Sequence, residues 1–412
     1  MRPIFAAFLT AILIMLSGYA QTPTSIAVQG TLSATTTQLA VSGIPSILPD
    51  IGPDHHRIYR VSQFTDASGQ SHTVTNQYVQ IETGLNRMNA SGAWEETSDL
   101  IEITATNAVA AGLRHEVLFA PNINTAEAIQ VRMPGGKWVT WNPIGISYYD
   151  SQSGNSVLLA EITNSIGVVV GRNQVIYTNC FNGLDADIRI TVTRHGVEQD
   201  LILHSQPASP EAYGLNSETT QLEVMTEFVK APVKATTVGG ALALSPGASG
   251  NSMAQPVLQD QRVDFGAMAL ESGQAFDVGS GLAPSGPASV NPVYKHWTST
   301  PDGTRVILYE ALPVNGIIPW IQGLPHASTR SVKVGRRQQA AAGSKAFDES
   351  PLLPKPSPRV ASTDNQSQFP QFARGDYDVR GVVVDFPLTL GTNSVSNFTF
   401  QGDTTYYLTG LY

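Results

Sequence analysis

Two aspartates stand two residues apart at the start of an alternating run, in Gly183-Leu184-Asp185-Ala186-Asp187-Ile188. On a strand this spacing puts both side chains on one face. Paired carboxylates could ligate a hard cation such as Ca²⁺, or divide acid and base roles in a hydrolysis. Aspartate also favours turns and strand starts for backbone reasons, so turn chemistry accounts for the same pair. Asp150, ahead of Gly154-Asn155, reads as a hairpin tip on those grounds. The eight histidines lack metal-ligand spacing, and His55-His56 reads as a surface pair. The sequence has no H-E-x-x-H, no G-x-S-x-G, no Walker loop and no G-x-G-x-x-G opening a helix. These are the local patterns that zinc proteases, serine hydrolases and nucleotide sites use. Asp185 and Asp187 are therefore the metal candidates. No catalytic or cofactor-binding residue is predicted, and no cofactor is expected.

Composition narrows the classes further. The chain has 412 residues, a formal net charge of −9 and a single cysteine, Cys180. The acidic balance argues against a nucleic-acid or anionic-membrane partner. One cysteine excludes an intramolecular disulfide framework and any multi-cysteine metal cluster. Cys180, following Tyr177-Thr178-Asn179, reads as a small buried hydrophobe. Five tryptophans raise the question of a sugar-stacking platform. Trp138 and Trp141 are three apart, so on one strand they face opposite ways and one of them belongs to the core.

These residues must be positioned by strands. Only 14% of residues are charged, and 36 glycines and 26 prolines break the chain into short runs. Ile188, Ile190 and Val192 alternate with Arg189, Thr191 and Thr193, and a partner run Glu198–His204 follows the His195-Gly196 turn. Further hairpins are predicted about Asn89–Gly92, Pro134-Gly135-Gly136 and Gly154-Asn155. Period-two alternation punctuated by such turns predicts antiparallel β-structure with a buried face. The expected fold is mainly β: antiparallel β-sandwich or open barrel units. Ser209-Pro210-Glu211 predicts one short helical start, and the run Val314–Pro325 another.

The expected order along the chain begins with a signal peptide over 1–20. Arg2 precedes the apolar run Ile4–Leu16, and Gly18 and Ala20 suit cleavage after Ala20. The apolar run is shorter than the roughly 20 residues of a membrane span, so no integral span is expected. A flexible leader over 21–54 precedes a β-rich domain over 55–230. An Ala/Gly/Ser/Pro linker over 231–259 leads to a second β-rich unit over 260–325. A disordered proline-rich, basic linker over 326–375 precedes the final segment, 376–412. The sequence ends inside the apolar run Asn397–Tyr412, which predicts a natural polypeptide that continues.

Several stretches resemble the N-terminal region of very large bacterial secreted and cell-surface proteins. They include GLNRMNASGAWEETSDLIEI, the run from Ile146 to Leu203, PEAYGLNSETTQLEVMTEF and DFGAMALESGQAFDVG. Those proteins carry RHS-type repeats, laminin-G-like modules or parallel β-helices downstream. The tail NFTFQGDTTYYLTGLY resembles the start of a parallel β-helix in them. The resemblance implies a secreted or cell-surface module, non-catalytic, acting in attachment, display or cell contact. Its partner would be an unknown surface or extracellular one, with a glycan among the candidates. The rival reading is a carbohydrate-binding module or a polysaccharide-active enzyme lacking its β-helix.

Overall fold

The computed structural model describes residues 51–233, 235–243, 257–278, 290–300, 302–327, 334–336, 353–358, 372–390 and 406–410. The expected signal peptide, most of the leader and the tail residues Asn397–Thr405 lie outside them. The fold is mainly β, with a nearly closed, barrel-like sheet system. Residues 59–76 belong to a separate compact unit. There the Asp66 carboxylate caps a hairpin turn, accepting from the amides of Ser68 and Gln70 and bonded to His72 Nε2 at 2.6 Å.

The strands that matter for the site are numbered in chain order: β1 Trp138–Asp150, β2 Ala186–Val192, β3 Gly196–Leu203, β4 Thr220–Lys230, β5 Val257–Asp264, β6 Val290–Ser299, β7 Val306–Pro313 and β8 Val382–Leu390. The first sheet runs β1–β4–β7–β6, antiparallel throughout. Short strands from Glu102 to Arg132 extend it beyond β1. The second sheet contains β2–β3–β8, again antiparallel. β6 joins the two sheets. Its first residues pair with Gly273–Phe276 of the second sheet, and Tyr294–Ser299 pair with β7 of the first.

The predicted alternation sets the faces. Ile188, Ile190 and Val192 point into the main core together with Val197, Leu201 and Leu203 of β3. Even-numbered residues of β8, from Val382 to Leu390, complete this layer. Trp141 is 1% exposed and stacks on Phe228 at 6.0 Å, and Phe228 meets Trp297 at 4.7 Å. Aromatic area is thus spent inside. The exposed large hydrophobic side chains among the described residues are Met88, Leu100, Val229 and Val233, none of them aromatic. One polar chain crosses this core, because buried donors and acceptors must be paired. Trp141 Nε1 donates to Gln199 Oε1 at 2.8 Å, Gln199 Nε2 to Thr226 Oγ1 at 3.2 Å, and Thr226 Oγ1 to Glu310 Oε2 at 3.4 Å. The predicted hairpins about Asn89–Gly92 and Pro134-Gly135-Gly136 form, as do a 3₁₀ turn at Pro210–Tyr213 and a helix at Val314–Ile321.

Four expectations are corrected. The regions 55–230 and 260–325 are not separate β-units, because β4 pairs with β7 from Gln221↔Pro313 to Phe228↔Val306. The interval 231–259 is not simply a linker, because Ala235–Ala243 forms a strand antiparallel to β5. The described parts of 326–375 are not a solvated linker either. Val334–Arg336 pairs with Asn155–Val157, and Leu353 packs on a second apolar cluster of Ile144, Met225, Ile307 and Tyr309. Arg305 Nη1 holds the Pro354 carbonyl at 2.8 Å, and Ala126 donates to the Pro358 carbonyl at 3.0 Å. Finally, the segment expected to begin a β-helix contains β8, which is antiparallel to all its partners: β3, Met268–Leu270 and Gly273–Asp277. The last described strand, Tyr406–Gly410, is parallel to Val79–Glu82. Alternation reports which face of a strand is buried and is silent about which strand lies alongside.

Candidate functional site

The polar groups that sequence reading singled out sit at one end of β2. The chain makes a tight bend before this strand, with Asn179 at φ 45° and Gly183 at φ 99°. The bend aims the Asn179 amide at the side chain of Asp187, which it meets at 2.6 Å from Oδ1. The register Ala186↔Leu203 places His204 just beyond the paired end of β3, and its Nε2 lies 2.8 Å from Asp187 Oδ2. Tyr377, arriving ahead of β8, donates its hydroxyl to the same oxygen at 2.5 Å and stands 3.3 Å from His204 Nε2.

Asp187 is 4% exposed. Burial pushes its carboxyl up, but the bonds from His204, Tyr377 and the Asn179 amide outweigh that and hold it below the usual carboxylate range. The same pair raises the imidazole of His204, through the bond to Asp187 first and its charge second, against the opposing cost of burial. The Tyr377 hydroxyl is driven up by burial and by its bond to Asp187.

Asp185 behaves differently. Its side chain is exposed, while its backbone is bound: the amide donates to Ser205 Oγ at 2.9 Å and the carbonyl accepts from the His204 amide at 2.9 Å. It lines a cavity of about 300 Å³ with Asn179, Phe181, Ser205, Pro325 and His326. The two aspartates therefore have separate environments, one committed to three donors and one facing an open cavity. Among the described residues no group of three or more His, Cys, Asp or Glu side chains is arranged to hold a metal.

Further along the same face of the second sheet lies a row of acids with one cation. Arg189 Nε bonds Asp200 Oδ2 at 2.7 Å, and Asp385 is the cross-strand partner of Asp200. Burial lifts Asp200, an effect Arg189 only partly offsets. Asp385 is pushed up to about 7, by burial first and then by the neighbouring charge of Asp200, while the Gln274 amide bonds its Oδ1 at 2.8 Å. Glu198 is raised by the same two causes.

Other sequence readings resolve simply. Asp150 is a hairpin-tip acceptor for the Gln152 amide, Ser153 Oγ and Thr219 Oγ1. Cys180 is buried in the core, and burial pushes its thiol well up. His55-His56 is not a surface pair: His56 is 5% exposed and bonded to Asn86 and Gln80. His204 and Tyr377 were missed. The first could have been found from the hairpin register, which opposes the end of β3 to the start of β2. The second has no local signal, being 190 residues from Asp187.

Searches against family models, curated proteins and solved structures find no match to this chain.

Proposed function

We propose that this chain is an exported, non-catalytic β-module of a surface or secreted multidomain protein, working in attachment, display or cell contact. The observation that supports this reading best is the use made of Asp187. Its two oxygens take three donors, from the Asn179 amide, His204 and Tyr377. A general acid or base works by reaching a proton of its substrate, whereas the recorded bonds of this carboxylate all run to groups of the chain itself. Here the cluster ties Tyr377 and the segment leading into β8 to the β2–β3 hairpin, which is a mechanical role. The signal-like first 20 residues support export, and no helix among the described residues is long and apolar enough to cross a membrane.

A glycan-binding reading takes support from the cavity beside Asp185, whose carboxylate and the exposed Asn179 and His326 could receive sugar hydroxyls. Against it stands the placement of Trp141 and Trp297 in the interior stack rather than on a binding face.

Fractionation of cells expressing the whole chain, followed by binding of the purified protein to glycan arrays and to intact cells, tests the proposal. Export, saturable binding to a surface, and no turnover across a polysaccharide panel are expected. Turnover that Asp187→Asn abolishes overturns the non-catalytic reading, and retention in the cytoplasm overturns the exported one.

A further inference from the structure

Lys295 is the one lysine among the described residues that is fully enclosed, at 0% exposure. It lies on the core side of β6, between Val293 and Trp297, which both pack with the apolar interior. Its Nζ is 2.7 Å from Oδ1 of Asp260 on β5. That oxygen also accepts the backbone amide of Lys295 at 3.0 Å, and the second oxygen accepts Ser272 Oγ at 3.2 Å. One strand position further on, the Gln261 side chain accepts the Trp297 amide at 2.7 Å. β5 thus borders β6 through side-chain bonds, and Asp260 is pinned against the lysine from both of its oxygens. Directly across from Lys295 on β7 stands Glu310, 2% exposed.

We propose that Lys295 and Asp260 condense to an intramolecular amide that joins β5 covalently to β6, with Glu310 relaying one of the protons. Lys295 gives up its hydration on burial, and an ion pair regains little of it. Condensation removes both charges. Held nitrogen against carboxyl, the two groups react as a unimolecular pair. The ammonium passes a proton to the Asp260 carboxylate, and the neutral Nζ attacks Cγ, forming the C–N bond. One C–O bond then breaks and the oxygen leaves as water. That water takes the two protons the nitrogen has lost, one transferred directly and one relayed by Glu310, which ends as it began. No oxidant or reductant enters. Burial, only partly offset by the charge of Lys295, holds the Glu310 carboxyl well above its ordinary range, as suits a group that donates and accepts a proton in turn.

Intact-mass measurement of the purified full chain, followed by tandem mass spectrometry of its protease digest, tests the proposal. The expected mass is that of the chain less one water, with a branched peptide joining Asp260 to Lys295. Lys295→Met and Asp260→Ala should each carry the full mass. Folded parent protein at the full mass, or a water loss that maps to any other residue, overturns the amide without touching the export and attachment reading. Because this reads the parent protein, it does not depend on a variant folding. Glu310→Gln should slow amide formation at least tenfold, whereas formation at the parent rate removes Glu310 from the reaction.

Discussion

Tyr377 gives the most direct view of how single side chains hold this molecule. Its hydroxyl is one of three donors on a buried carboxylate, and hydrogen bonds to charged groups contribute about 1.5–3 kcal/mol each. Tyr377→Phe should lower stability by roughly that amount in urea titration while leaving the far-ultraviolet spectrum unchanged. An unchanged midpoint would mean that the Asp187 cluster carries no load. The cluster also has a pH signature. His204 is raised in the fold, so its contribution is complete below the ordinary imidazole pKa and is lost as pH rises through the raised value. Asp187 is lowered, so its contribution holds above the ordinary carboxylate pKa and is lost as pH falls through the lowered one. In His204→Gln the alkaline loss should disappear from a plot of unfolding midpoint against pH.

At the scale of elements, β8 decides most. It fills the position between β3 and the strands Met268–Leu270 and Gly273–Asp277, so removing residues 377–412 strips an inner strand from the second sheet. That deletion should abolish cooperative unfolding, and a truncated chain that melts like the parent would contradict the register. The close fit of β3 on β8 is equally testable at Gly196, where a Cβ would lie 2.1 Å from the Leu388 carbonyl oxygen. Gly196→Ala should cost about 1–3 kcal/mol or more, since the obstacle is backbone and cannot swing aside. The row of acids on β3 and β8 works against stability. A carboxyl raised in the fold binds more protons there than in the unfolded chain, so stability falls as pH climbs through the window. For Asp385 that window runs from the ordinary carboxylate range to about 7, and Asp200 and Glu198 shift in the same direction. Asp385→Asn should flatten this decline and raise stability at pH 8 by on the order of 2 kcal/mol. A parallel decline in the variant would show that the carboxyl does not retain its proton.

For the molecule as a whole, the consequence of the β4–β7 pairing is cooperativity. Residues 101–230 and 260–325 share one ladder and one core, so neither can bury its inner face alone. Tryptophan emission, which reports Trp141 and Trp297 in the aromatic stack, and backbone circular dichroism should therefore lose signal together in a single transition. Two resolved transitions would restore the picture of separate units for 55–230 and 260–325.

Much of this was legible locally. Alternation in Asp187–Thr193 named the buried face of β2, the Gly- and Asn-bearing turns marked hairpins that form, and Asp150 was read rightly as a turn acceptor. Such features depend on neighbours a few residues away, where the period-two geometry of a strand links sequence to burial directly. The spacing of Asp185 and Asp187 implied one shared role, and the fold gives them separate environments. Tertiary structure alone decided that β4 lies beside β7, that β8 is an inner strand, that Tyr377 closes on Asp187, and that Lys295 meets Asp260. Every alternating strand offers similar edges, and the choice among them is made by how all the faces bury together, which no single stretch of sequence contains.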